Sequence, residues 1–501
     1  MKTPTDDIFK LVQAMTAAEK RYFKIHFSSE KSLVTELFNY INGMKAYDEE
    51  DVKTHFKDSK LSKNLKVYKI MLSDLLLKSL SSFRYKKSIN SIIRQNLEEV
   101  EILTEKCLYT QAYKKLQKTK KLCLKHEEFT QLITIINLEY RFKAFYEINV
   151  KNESLELLDN TIYSSTKILD ILKLKKINHE LSLNAGEVAK AKINNTEVKK
   201  HESFLMKNLA DKLDSKDALK ETYYAHSALG HLYHSTKNIK KEYQHKKDIL
   251  ELFQNNTFFV DSNPNKYWSS CFNFANCCMR DNRSDEFNET LKKIKAFTKR
   301  FPFFKRKMIL VHVMEIVFHL KQKNYSYIVN DLEPVILETV NLYGDEQERS
   351  VVFSYLSLMR THLSIGNHTQ VQYYLRRLFK KKGIGKAFNY FYETIDLISH
   401  FESKDFDILQ NLLTAKKRKI KREPKYGTPF YKEILKFFSN ILDPKKNVKE
   451  QVVTLKKIAS EHPDDDYLRL MQYFLFEDWM NALSEGKTYS EYVNPDQKKV
   501  A

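Results

Sequence analysis

Residues 229–243, LGHLYHSTKNIKKEY, carry the reading on which the fold of this chain turns. A helix holding Leu229, Gly230 and Tyr233 runs into a polar turn near Lys237-Asn238, and a second helix follows. Beyond residue 88 the same order recurs: an aromatic-rich helix, a short polar turn, and a second helix with an aromatic, small, aliphatic rhythm. The clearest early second helix is Tyr109-x2-Ala112-x3-Leu116. Later copies are Phe287-x3-Leu291-x2-Ile294, Tyr325-x2-Ile328-x3-Leu332-x2-Val335, Val371-x3-Leu375-x2-Leu378 and Phe406-x2-Leu409-x3-Leu413. Between positions 287, 328, 371 and 409 the spacings are 41, 43 and 38 residues.

Leu229-Gly230-x2-Tyr233 with its turn resembles the first-helix core of a tetratricopeptide repeat. Tyr355-x2-Leu358-Met359-x2-His362, followed by Gly366-Asn367 and Val371, fits the same template with substitutions, as does Phe274-Ala275-x2-Cys278. The chain departs from the family in three ways: Glu242 stands where the template has a small alanine, the helix-ending proline is generally missing, and the repeats exceed 34 residues. The opening, with Glu19-Lys20-Arg21-Tyr22-Phe23-Lys24, is similar to that of uncharacterised bacterial helical-repeat proteins, a group from which no activity carries over. The resemblance implies an all-α, right-handed superhelical α-solenoid of TPR-like helix pairs.

The physical argument stands beside the resemblance. A pair of about 40 residues cannot bury both of its faces, so each pair needs neighbours, and stacking gives a continuous core. The expected organisation is an N-terminal helical head over 1–88, the solenoid over 89–460, and a C-terminal helical cap and tail over 461–501. In the head, Leu65, Tyr68, Leu72, Leu75, Leu76, Leu80 and Phe83 draw a helical stripe. The acidic run from Asp464 gives the cap a charged outer face, with a loose tail expected after Gly486.

Composition agrees with helices. The 501 residues include 9 glycines and 9 prolines, far below the roughly 12% of an average chain. No proline falls between Pro4 and Pro264. These two residues are the poorest helix formers and the commonest turn formers, so their scarcity excludes turn-rich β folds and glycine-cradled nucleotide sites. Hydrophobics at 42% are too many for a disordered polycation. Five cysteines, Cys107, Cys123, Cys271, Cys277 and Cys278, show no framework spacing and fit a reducing compartment. With no signal-like or membrane-length apolar run, a cytoplasmic location is expected.

The net charge of +21 speeds encounters with acidic proteins or nucleic acid, although lysine-rich codon usage alone can produce it. Basic runs occur at Lys114–Lys125, Lys237–Lys247, Lys292–Lys307, Arg376–Lys386 and Lys416–Lys425. Equivalent positions in stacked pairs align, so Arg376, Arg377, Lys380, Lys416, Lys417, Arg418, Lys419, Lys421 and Arg422 form a candidate basic ridge suited to phosphates. Cations near helix C-termini also favour the helix dipole without any partner.

Chemistry-bearing clusters are sparse. His231 and His234 share a helix face near His226, but a metal would need further ligands from elsewhere, and Tyr223, Tyr224 and Tyr233 suggest an aromatic packing face there. His312, Glu315 and His319 share one face without the zinc-protease spacing. Of Cys277 and Cys278, adjacent on a helix, one is expected in the core and the other outside it. Gly383-Ile384-Gly385-Lys386 lacks a P-loop spacer and reads as a helix stop. No catalytic residue, cofactor or metal is therefore assigned, and the chain is expected not to be an enzyme.

The expected function is a non-enzymatic interaction scaffold. Its solenoid groove would bind a protein or peptide, preferably acidic, through first-helix residues Tyr223, His226, Asn273, Asn276, His312, Glu315, Tyr355 and Arg360. The alternatives are a nucleic-acid-binding α-solenoid using the basic ridge, or a helix-turn-helix head at 49–83 with the solenoid as sensor arm.

Overall fold

The computed structural model describes residues 6–27, 32–84, 89–146, 154–187, 202–203, 207, 218–343, 349–379, 384–423, 426–461, 470–471, 474 and 476–495. Among them every regular element is helical and no strand occurs. The chain divides into two compact units, Met1–Ser270 and Cys271–Ala501.

One local device repeats along both units. Cys107, Glu127, Lys237, Asn282, Lys323, Gly366, Lys404 and Gly486 all have φ between 52° and 73°, each in a turn between two helices. In each case the next residue donates its N–H back to the carbonyl five positions earlier, as in Asn238 to Tyr233 at 2.9 Å and Asn367 to His362 at 2.9 Å. This left-handed residue with its six-to-one bond is a Schellman C-cap, which satisfies carbonyls that the helix end leaves open. Five residues after seven of these eight left-handed residues lies a buried position of the next helix, and after Gly486 it is the half-buried Glu491. Ala112, Leu132, Phe287, Ile328, Val371 and Leu409 occupy the buried position, each at most 3% exposed. Glu242 occupies it too, at 0% exposure.

In the first unit, α1 (Asp7–Ala14), α2 (Ala17–His26), α3 (Leu33–Gly43), α4 (Glu49–His55), α5 (Lys60–Lys63) and α6 (Leu65–Arg84) enclose a core of their own. Thr16 and Glu19 form a capping box at the start of α2. The core stripe on α6 is led by the fully buried Leu72 and Leu76. Helices α7 (Ile89–Glu105), α8 (Tyr109–Lys125), α9 (Phe129–Phe145) and the 34-residue α10 (Ser154–Glu187) share a second core. Further along, α10 packs on α11 (Leu219–Ser235), α11 on α12 (Ile239–Asn255) and α12 on α13 (Thr257–Ser262), and the four share a third core. The helix α14 (Pro264–Arg280) follows, and the division between the units falls within it.

The second unit contains α15 (Ser284–Arg300), α16 (Met308–Lys321) and α17 (Tyr325–Tyr327), which passes through a π turn at Ile328–Leu332 into α18 (Glu333–Tyr343). It continues with α19 (Arg349–Ser364), α20 (His368–Phe379), α21 (Ile384–Glu402), α22 (Phe406–Arg422), α23 (Pro429–Ile441), α24 (Val448–Glu461), α25 (Phe476–Ser484) and α26 (Tyr489–Val493). One extended core runs from Ile309 to Tyr489.

Three expectations are corrected here. Cys277 and Cys278 are both 0% exposed, because α14 is covered on more than one side. Gly383 lies outside the described residues, while Gly385 and Lys386 belong to the first turn of α21 and do not end a helix. The chain past Gly486 is not loose as far as Val493: a Thr488–Glu491 capping box starts α26, and Tyr489 is 2% exposed in the core.

Candidate functional site

Buried charge is placed by a recurring contact. Glu139 takes Lys120 at 2.6 Å, Glu221 takes Lys167 at 2.8 Å, Glu315 takes Lys295 at 2.6 Å and the half-buried Glu393 takes Lys416 at 2.9 Å, each pair linking two helices. Removing a carboxylate from water costs several kcal/mol, which the pairing offsets, so these pairs add little net stability while the loss of one partner would be costly. Sequence reasoning missed Glu139, Glu221 and Glu393. Their signal is a single acidic residue inside an apolar helix face.

The densest polar cluster lies between α11 and α12. His226 Nδ1 is 3.0 Å from His245 Nδ1 and 3.4 Å from Asp248 Oδ2. His245 and Asp248 are three apart on α12, so they share a face with 3.9 Å between Nδ1 and Oδ2. The Tyr233 ring lies parallel to His245 with centroids 5.5 Å apart, and its hydroxyl donates to Glu202 at 2.7 Å. One turn away, the buried carboxylate of Glu242 takes Lys246 and lies 3.1 Å from His234 Nδ1. Burial pushes His231 down to about 4, with Lys246 and His234 adding to the effect. Burial also pushes His245 down to about 4, with His226 adding. The aromatic face expected around His226, His231 and His234 is thus interleaved with α12 side chains. Additional donor groups come from α12, as His245 and Asp248.

Of the first-helix residues proposed to meet a partner, Tyr223, His226, His312, Glu315 and Tyr355 are buried. Their helices are covered on most sides, which leaves these side chains without a solvent face. Tyr223 packs edge-on to Tyr224 at 5.0 Å. His312 Nδ1 lies 3.1 Å from Glu315, and Tyr355 accepts from Arg377 at 3.2 Å. Burial opposes the charge of Glu315, yet the hydrogen bonds from His312 and Lys295 hold its carboxyl below the usual range. Asn273, Asn276 and Arg360 are half-buried. Glu333, just past the π turn, accepts from Tyr374 and lies 2.9 Å from His362 Nε2.

The ridge residues divide. Arg376, Lys417, Arg418, Lys419, Lys421 and Arg422 are exposed. Arg377 is half-buried over Tyr373, and Lys416 is held by Glu393. Lys380 lies outside the described residues. On α6 the exposed residues include the apolar Val67, Ile70, Met71 and Leu77, which have no hydrogen bond to offer a base edge, beside Lys66, Asp74 and Lys78.

An open groove of about 780 Å³ lies in the second unit. Phe401, Phe406, Val448 and Leu483 give it an apolar floor, and Lys404, Lys449 and Lys487 stand exposed on its rim. It is framed by the Schellman turns at Lys404 and Gly486 and by the N-termini of α24 and α26. Glu402, buried beneath it, accepts from Trp479 Nε1 at 2.8 Å and from the Tyr489 N–H at 2.9 Å. Burial raises the Glu402 carboxyl above its usual range, against those hydrogen bonds. Glu491 also lines the groove, with its carboxylate turned back to the Thr488 N–H. Nothing in the sequence motifs pointed to this groove, because its walls come from three separate segments.

No helix among the described residues is long and apolar enough to cross a membrane. Comparison with protein-family models, curated proteins and solved structures finds no match to this chain.

Proposed function

We propose that the protein is a non-enzymatic interaction scaffold of tetratricopeptide-like helix pairs, wound as a right-handed α-solenoid, that captures an acidic peptide segment of a protein partner in the cytoplasm. The repeated Schellman turn with a buried residue five positions on supports the repeat reading. The observation that carries the binding reading is the groove with an apolar floor and a rim of Lys404, Lys449 and Lys487. Apolar contacts anchor a ligand while rim charges select its sign and speed its arrival.

The test is a selection of random displayed peptides on the purified chain. Peptides rich in Asp and Glu around an aromatic or aliphatic anchor are expected. Their binding should fall at least about tenfold in a Lys404→Glu, Lys449→Glu, Lys487→Glu variant. Equal enrichment on that variant overturns the reading.

A second reading rests on the exposed cations at the end of α22, Lys417, Arg418, Lys419, Lys421 and Arg422, as a site for nucleic-acid phosphates. Binding of this kind would weaken steeply with salt, and neutralising these residues would flatten that dependence.

A further inference from the structure

The cluster between α11 and α12 has a property that peptide capture does not use. Among the described residues, His226, His245 and Asp248 offer ligand atoms that all lie within 4.8 Å of one another. Their separations of 3.0, 3.4 and 3.9 Å bracket the edge of about 3.3 Å expected for a tetrahedron with arms of about 2.0–2.1 Å. We propose that His226 Nδ1, His245 Nδ1 and Asp248 Oδ2 bind one divalent transition cation of the zinc class, with the fourth position open to water.

Three features support a built site. The ligands come from two helices that already pack together, so no chain movement is needed to bring them into range. The stacked Tyr233 ring fixes the plane of His245, the kind of outer support that orients a ligating imidazole. Asp248, with its side chain 26% exposed, gives the ion a route from solvent, while His226 at 9% lies deeper. Two imidazoles and one carboxylate suit zinc, cobalt or nickel better than magnesium or calcium, which favour all-oxygen shells.

The purified full chain is titrated with Zn2+ by calorimetry and with Co2+ by visible absorption. One equivalent should bind. His245→Gln and Asp248→Asn should each weaken it at least about tenfold, whereas His319→Gln should not change it. Zn2+ should also raise the melting temperature of the native chain and not of the two ligand variants. No saturable equivalent, or equal binding by the ligand variants, overturns the proposal.

An independent observation concerns α10. One face of this helix is buried through Leu157, Ile171, Leu174 and Leu181, while Leu155, Leu158, Ile162, Leu169 and Leu172 are between 51% and 74% exposed. With Ser165, the exposed set alternates steps of three and four residues, the a/d seam of a coiled coil. We infer that this seam pairs with the same seam of a second copy, antiparallel. In that alignment 155 meets 172, 158 meets 169 and 162 meets 165, so every layer is formed twice about the dyad. The flanking charges agree. Asp159 and Lys173 both occupy e positions and meet each other across the dyad, whereas a parallel pair would set them against the g positions Ser154 and Ile168, with no charge to pair.

Sedimentation of the full chain at about 50 μM should show a dimer. Leu158→Glu with Leu169→Glu should give a folded monomer. Asp159→Lys alone should weaken the dimer, and adding Lys173→Asp should restore it, a rescue that only antiparallel pairing provides. A native chain that is monomeric at that concentration, or a charge swap without rescue, overturns the inference.

Discussion

His234 Nδ1 lies 3.1 Å from a carboxylate oxygen of Glu242, a side chain with no exposed surface. Of the seven equivalent positions after the other Schellman turns, six hold apolar residues and the seventh, Glu491, is only half-buried. Glu242 is tolerated because Lys246 and His234 both reach it. Truncating a partner leaves a buried charge unpaired, so Lys246→Met should destabilise the chain by about 3–5 kcal/mol. The double variant Glu242→Leu, Lys246→Met should recover most of that loss. Urea unfolding of the three proteins measures it. A double variant as unstable as the single one would contradict the assignment.

The Schellman turns make an opposite pair of predictions. Lys323 has φ 57°, a conformation costly for a residue with a Cβ, so Lys323→Gly should stabilise by up to about 1 kcal/mol. Gly366 has φ 73°, and an added Cβ would meet Ser490 Oγ at 3.2 Å. Gly366→Ala should therefore destabilise by more than about 1 kcal/mol. Thermal unfolding checks both signs.

His231 predicts a pH dependence. Burial holds its folded value at about 4, below the ordinary 6.5. Between these values the unfolded chain binds the extra proton, so stability rises with pH across the window and is lost as pH falls from about 6.5 to about 4. His231→Gln should flatten that part of the stability profile. An unchanged slope would place His231 in a wetter setting than the structure shows.

Glu402 ties α21 to α25 and α26 by accepting from Trp479 and Tyr489. Glu402→Gln replaces one acceptor oxygen by an amide donor, which faces an N–H in either orientation. A loss of about 1–3 kcal/mol is expected. With 2 tryptophans in the chain, emission from Trp479 should shift to the red in this variant, and an unshifted spectrum would contradict the buried contact.

The helical class was legible from scarce glycine and proline and from three- and four-residue apolar spacing. The spacings of 41, 43 and 38 residues reappear as the intervals between the left-handed residues Asn282, Lys323, Gly366 and Lys404. Those turns were hard to see individually, because Lys and Asn hold a conformation for which glycine is the usual marker. The site was less legible. Tyr223 and His312 read as polar or aromatic leftovers of a first helix, but whether such a helix faces solvent depends on what covers its far side, which local periodicity does not encode. His226 was visible, whereas His245 and Asp248 became its neighbours only through the packing of α12. The groove beside Lys404 joins residues more than 80 positions apart.

The most direct measurement is fluorescence anisotropy of a labelled acidic peptide, taken from the display selection, and of a labelled single-stranded RNA, each titrated with three proteins. These are the native chain, the variant reversing Lys404, Lys449 and Lys487, and a variant neutralising Lys417, Arg418, Lys419, Lys421 and Arg422. The account predicts that the peptide binds the native chain and the α22 variant alike, and loses at least about tenfold in affinity with the groove variant. Tight RNA binding that disappears with the α22 variant, alongside a peptide indifferent to the groove lysines, would contradict it.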